Sequence, residues 1–257
     1  MAAIADIAFV LFRPQQAGNI GAAARALRNM GLRDLRLVAP AASSRSRAAH
    51  AMAVHGDDVL AATAVHPDLK SALADRTIVA GTTCRRGLYR SGAIALRDAA
   101  RELADAAATN RIAIVFGPED HGLANRELKL CHRLITIPTA PEYPSLNLAQ
   151  AVMLVAYEMM LALAAPPRDA APAPELAPAP EVAAMFERMK ETLVAIGFLP
   201  AENPDHIMFA LREIFGRSGI RPRELEILNG ITSQIRWAAG DGHRALAEKR
   251  RAGMKLR

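Results

Sequence analysis

Residues 6–40, DIAFVLFRPQQAGNIGAAARALRNMGLRDLRLVAP, read as strand, helix, strand: two short β-rich runs flank a segment with apolar positions at helical spacing. In the middle segment Ile20, Ala23, Ala24, Leu27 and Met30 fall on one stripe, with Arg25 and Asn29 on the opposite side. Arg25 is therefore not a core residue, and taken alone it reads as part of a solvated face. Asn19 is a candidate N-cap, and Pro14 stiffens the approach to the helix. The alternation continues with strand-like TIVAGTT (77–83), IAIVFG (112–117) and RLITIPT (133–139), and with helical spacing at 93–108 and 146–165. Strands alternating with helices predict an α/β fold, a mainly parallel sheet with helices on both faces. The segment 146–165, LNLAQAVMLVAYEMMLALAA, is apolar nearly all round, so it should be buried on more than one side, in the core or against a partner subunit.

Working outward, residues 166–180 (PPRDAAPAPELAPAP) hold six prolines and should form an extended linker rather than helix or sheet. Three helical patterns follow, EVAAMFERMKETLVAIGF, NPDHIMFALREIFGRS and RPRELEILNGITSQIRWAAG, and then a basic tail from Arg244. The expected organisation is an α/β domain over 1–165, a linker over 166–180, and a small all-helical extension with the tail over 181–257.

No apolar run approaches the roughly eighteen residues of a membrane span. The start MAAIADIAFVLFRP places an acidic residue before its apolar run and has no basic leader, which predicts a cytoplasmic chain. Cys84 and Cys131 are too few for a disulfide framework and lack zinc-ligand spacing, so no metal is expected. The net charge of +6 is carried mostly by arginine, whose forked guanidinium suits phosphate, and a polyanionic partner is plausible.

Glycines and small polar residues cluster where strands end: Gly18, Asn19 and Gly21; Gly81 to Cys84; Gly117, Glu119 and Gly122; and Pro144 to Asn147. Loops at the carboxyl ends of parallel strands are where ligands bind. Any one of these loops is ordinary turn chemistry, but four together suggest a shaped site. The GxGxxG turn of a dinucleotide fold and the GxxxxGK[ST] of a P-loop are both absent.

In order and spacing, GNIGAAARALRNMGL (18–32), IVFGPEDHGLANREL (114–128) and PEYPSLNLAQAVMLVAYEM (141–159) closely resemble the three signature motifs of the TrmH-like branch of the SPOUT RNA 2′-O-methyltransferases. The segments TLVAIGFL (192–199) and ALREIFGRSGIRPRELEILNGI (210–231) resemble the C-terminal extension of the TrmJ type, which acts on the cytidine or uridine at position 32 of the tRNA anticodon loop.

The resemblance implies a C-terminal trefoil knot in the α/β domain, S-adenosylmethionine as methyl donor, tRNA as substrate, and a homodimer whose site draws on both subunits. By motif correspondence the cofactor pocket comprises Thr82, Thr83, Cys84, Gly117, Ile137, Pro144, Ser145 and Leu146. Arg25 corresponds to the family's catalytic arginine, with Asn19, Glu119, Ser145 and Asn147 around the cofactor or nucleotide. Because a guanidinium holds its proton up to a pH of about 12, Arg25 is expected to grip the neighbouring phosphate and stabilise developing negative charge rather than act as a base. Glu119 has the alternative of stabilising the following helix N-terminus, and Ser145 that of capping the helix after it. Pro118, Asp120 and His121 depart from the family pattern, which is more often basic there; His121 reads as a surface residue. Arg13, Arg85, Arg86, Arg90 and the tail are candidate RNA contacts. A ribosomal-RNA ribose methylase of the same fold and a silent RNA-binding protein remain as alternatives.

Overall fold

The computed structural model describes residues 6–85, 92–166, 173–216 and 219–242. The chain divides into two compact units, Met1–Pro180 and Glu181–Arg257. Among the described residues the strands are β1 (Ile7–Phe12), β2 (Asp34–Val38), β3 (Ala64–His66), β4 (Ile78–Thr82), β5 (Ala93–Ala95), β6 (Ile112–Phe116) and β7 (Arg133–Thr136). They form one seven-stranded sheet in the order β3-β2-β1-β6-β4-β7-β5. Every neighbouring pair runs parallel. All the strands therefore end at one edge, where their loops can meet.

The helices of the first unit are α1 (Ala17–Asn29), α2 (Arg47–Ala53), α3 (Asp57–Ala61), α4 (Leu69–Ala72), α5 (Leu96–Ala106), α6 (Asn125–Leu128) and α7 (Leu148–Ala164). Residues of both faces of the central strands are buried: Phe9, Leu11, Ile114 and Phe116 on one, Ala8, Val10, Ala113 and Val115 on the other. The first set packs with α1, α5 and α7 residues such as Ile20, Leu27, Leu103, Val152 and Val155. Phe9 and Phe116 stack across the β1–β6 pair with ring centroids 6.0 Å apart. The predicted stripe on α1 is buried apart from Met30, which is half-buried, and Arg25 and Asn29 face outward. Small residues let α1 approach α2 closely: a Cβ on Gly21 would lie 1.9 Å from the Ala49 carbonyl oxygen.

The structure corrects two local expectations. Ala93–Ala95 is an edge strand paired with β7, not the first turn of a helix, and α5 starts only at Leu96. Asn19 does not cap α1, which begins at Ala17 after an extended Gln16. On α7, Leu148, Val152, Val155, Ala156 and Met159 are buried, while Leu154, Tyr157 and Leu161 on its other side are exposed.

At the edge where the strands begin, Arg76 is 2% exposed and fully engaged. Its guanidinium reaches Asp6 at 2.6 Å, Asp34 at 2.8 Å and Asp75 at 3.0 Å. Arg36 joins the cluster through Asp75 at 2.7 Å and Asp34 at 2.9 Å. Residues 173–178 run without helix or strand along the same unit. Thr109 Oγ1 donates to the Ala173 carbonyl, Asn110 Nδ2 to that of Pro174, and Leu176 N–H to Asn110 Oδ1.

The second unit holds most of α8 (Ala179–Ala195), together with α9 (Asp205–Gly216) and α10 (Pro222–Trp237). Arg212 lies 4.5 Å from the Phe186 ring centroid and pairs with Glu187 at 3.0 Å. Pro222 opens α10, where a missing N–H costs nothing, and Glu224 accepts a hydrogen bond from Arg221 N–H at 2.9 Å. No helix of the described residues is long and apolar enough to cross a membrane. The basic tail lies outside the described residues.

Candidate active site

The loops after β4, β6 and β7 close a cavity of about 290 Å³. All eight residues expected to form a cofactor pocket line it: Thr82, Thr83, Cys84, Gly117, Ile137, Pro144, Ser145 and Leu146. Each loop is shaped by local bonding. Thr82 Oγ1 donates to the Val115 carbonyl at 3.1 Å, and Thr83 Oγ1 accepts from Arg85 N–H at 3.2 Å, turning the chain after β4. After β6 the chain folds back on itself, with Gly122 N–H donating to the Pro118 carbonyl at 2.9 Å. A Cβ on Gly117 would lie 2.2 Å from the Gly122 carbonyl carbon, so the turn can close only on glycine. After β7, Thr139 Oγ1 donates to the Pro144 carbonyl at 3.4 Å.

A chain of hydrogen bonds ties this cavity to α1 and α7. Glu119 Oε2 accepts from Gln15 N–H at 2.9 Å, and Oε1 accepts from Gln16 N–H at 3.2 Å and Asn19 Nδ2 at 2.9 Å. Asn19 Oδ1 in turn accepts from Asn147 Nδ2 at 3.0 Å. Asn147 Oδ1 caps α7, accepting from Ala149 N–H at 2.9 Å and Gln150 N–H at 3.4 Å. The carboxylate thus sits at the start of α1 rather than of the helix that follows it, and Asn147, not Ser145, caps α7. Ser145 is exposed on the cavity wall. The first loop contributes through this chain and does not itself line the cavity.

Arg25 is not brought to the cavity of its own chain. It is exposed, and among the described residues its guanidinium has no ion-pair or hydrogen-bond partner. Arg85 lines the cavity, Arg13 is exposed beside the first loop, and Arg86 and Arg90 lie outside the described residues. Asp120, and His121, which the sequence reading placed on the surface, also line the cavity, and His121 Nδ1 lies 2.5 Å from Asp120 Oδ1. Their adjacency in the glycine-bounded turn 117–122 was the available signal. Cys131 packs against Gly81, and burial pushes its thiol up to about 12. Among the described residues no group of three or more His, Cys, Asp or Glu could hold a metal ion.

Apolar walls from Phe116, Leu123, Ile137, Leu146, Leu148 and Ala151 fit a flat heterocycle, and the peptide groups of three loops meet polar side chains at the rim. Comparisons with known proteins agree with this arrangement. Residues 6–157 match the SpoU rRNA Methylase family, and residues 180–250 match the C-terminal domain of the tRNA methyltransferase TrmJ. The tRNA (cytidine/uridine-2′-O-)-methyltransferase TrmJ of Escherichia coli (strain K12) is 35% identical over 90% of this chain and 95% of its own length. The crystal structure of TrmJ from Z. mobilis ZM4 superposes with a TM-score of 0.75 at 35% identity, covering 89% of this chain and 98% of that one. With both units matched end to end in this way, the chain belongs to the SpoU methylase family, in its TrmJ branch.

Proposed function

We propose that this chain transfers a methyl group from S-adenosylmethionine to the ribose 2′-hydroxyl of a cytidine or uridine at position 32 in the tRNA anticodon loop. The observation that carries the reading is the joint match of the catalytic fold and of the TrmJ C-terminal domain, at 35% identity over 95% of a relative named for this reaction. That second domain favours tRNA over the ribosomal RNA of the family's name. When bound, the cofactor supplies an electrophilic methyl carbon on a sulfonium.

The remaining work falls to the chain's own residues. Thr82, Thr83, Cys84, Gly117, Ile137, Pro144, Ser145 and Leu146 hold the donor, and the Ser145 hydroxyl is exposed at the wall where a ribose enters. Glu119, with both oxygens occupied, is a positioning group: with Asn19 and Asn147 it fixes the wall of the cavity to the starts of α1 and α7. Arg25 grips the phosphate beside the target ribose and stabilises charge developing on the attacking oxygen. Its distance from its own chain's cavity is accounted for if the protein works as a homodimer, each subunit lending Arg25 to the other. The exposed apolar residues Leu154, Tyr157 and Leu161 on α7 suit that interface. The strand order, with β7 inserted between β4 and β5, supports the C-terminal knot that the family resemblance implies. A cytoplasmic location fits a tRNA substrate.

Purified protein incubated with tRNA and labelled S-adenosylmethionine should yield 2′-O-methylcytidine or 2′-O-methyluridine mapping to the anticodon loop by nucleoside and fragment mass spectrometry. Label appearing in ribosomal RNA alone would replace tRNA as the substrate, and failure to bind the donor would remove the reading altogether.

A further inference from the structure

Methyl transfer to a ribose requires that the hydroxyl proton leave as the oxygen attacks, and a neutral hydroxyl is a poor nucleophile without an acceptor nearby. Among the described residues, the charged or titratable side chains lining the cavity are Cys84, Arg85, Glu119, Asp120 and His121. Arg85, like Arg25, has no lone pair to offer. The Glu119 oxygens already accept three hydrogen bonds from Gln15, Gln16 and Asn19. A Cys84 thiolate is a better nucleophile than a ribose oxygen and would itself take the methyl group.

His121 and Asp120 are arranged differently. Pro118 and Gly122 close the turn that carries them, and Gly122 takes a left-handed φ of 62°. His121 Nδ1 lies 2.5 Å from Asp120 Oδ1, an ion-pair contact. A hydrogen bond from the Gln15 side chain holds the Asp120 carboxyl below the usual carboxylate range, and the adjacent His121 ring adds to this. An ionised carboxylate beside Nδ1 favours the tautomer with its hydrogen there, which would leave the ring's lone pair on Nε2. Among the described residues Nε2 has no protein partner. The two side chains are 50% and 55% exposed, so the ring lines the cavity while staying open to solvent.

We propose that His121, oriented by Asp120, accepts the proton of the ribose 2′-hydroxyl during methyl transfer. The inference rests on the methyl-transfer reading above. As the oxygen bonds to the methyl carbon, the carbon–sulfur bond breaks with its electron pair staying on sulfur. The hydroxyl proton passes to Nε2, and the imidazolium later returns it to solvent. Asp120 is a positioning residue that orients the ring and favours the tautomer with its hydrogen on Nδ1.

The test compares wild type, His121→Gln and Asp120→Asn in single-turnover methylation of a tRNA transcript between about pH 5 and 9. It is combined with calorimetry of S-adenosylhomocysteine binding and long-range ¹H–¹⁵N spectra of the histidine rings. The wild-type rate should rise along an acid limb set by the ring. His121→Gln should lose that limb and fall roughly 100-fold or more, with melting temperature and S-adenosylhomocysteine affinity unchanged. Asp120→Asn should fall less, keeping the acid limb while the ring spectra show a smaller fraction of the Nδ1-protonated tautomer. The spectra should show a neutral His121 protonated at Nδ1. An active wild type matched by His121→Gln in rate and pH profile, or a ring protonated at Nε2, overturns the histidine assignment alone. A wild type that transfers no methyl group overturns the underlying reading and the assignment with it.

Discussion

The two edges of the sheet use the same side chain to opposite ends. Where the strands begin, Arg76 is buried among Asp6, Asp34 and Asp75, and Arg36 closes the cluster. Where they end, Arg13 and Arg85 are exposed and, among the described residues, without an ion-pair partner, as is Arg25 on α1. A guanidinium surrounded by carboxylates has its donors filled and serves the fold. One left open to solvent keeps its fork for an anion from outside, so partnering separates a structural arginine from one available to phosphate.

This contrast can be broken at either edge. The largest effect is expected from Arg25→Ala, which should lower single-turnover methylation on the order of 10²–10³-fold, about 3–4 kcal/mol of transition-state stabilisation. Melting temperature and donor affinity should stay near wild type, and calorimetry showing loss of the donor would move Arg25 from catalysis to binding. Arg76→Met should do the converse. It removes the buried cation that joins Asp6, Asp34 and Asp75 and leaves Arg36 to hold the last two, costing about 3 kcal/mol in urea denaturation, the low end for a buried pair because the acids are partly solvated. Donor binding by the folded fraction should survive.

The smallest effect is a pH dependence. The hydrogen bond from Arg36 holds the Asp75 carboxyl well below the usual carboxylate range, with Arg76 adding to this. A depressed folded value means that the bond's contribution is fully present above the unfolded value, near pH 4, and is lost as pH falls below it. Urea midpoints compared at pH 7 and at about pH 3 should therefore fall less for Asp75→Asn than for wild type. The difference should be on the order of 1 kcal/mol, because Asp75 is partly open to solvent.

Much of the α/β unit was legible because strand and helix periods differ and alternate cleanly in residues 6–40 and 112–165. The cavity was legible because its walls are loops whose glycines and prolines are tied to strand ends. Side-chain partnerships were not. Asn19 has the residue type of a helix cap, but its amide is committed to Glu119, a hundred residues away in the chain, and α1 starts at Ala17 with no side-chain cap. Only the folded chain brings those groups together. The Arg76 cluster left a fainter trace: an aspartate stands at or just before the start of β1, β2 and β4, as Asp6, Asp34 and Asp75. Repeated acids at strand entries call for a shared cation, and Arg76 follows one of them directly. Ala93–Ala95 carries too little pattern to be told from the helix it adjoins; its pairing with β7 decides its conformation.

The turn at Gly117 bears on how variants of this protein should be read. A side chain there would drive into the peptide of Gly122 and Leu123, just as one at Gly21 would drive into Ala49. In a saturation screen scored by methylation, both glycines should tolerate replacement as poorly as a residue that handles the substrate, although neither has a side chain to offer. Intolerance at such positions reports how closely two backbones pass, and chemistry is better sought among neighbours that accept a similar shape but reject a changed function.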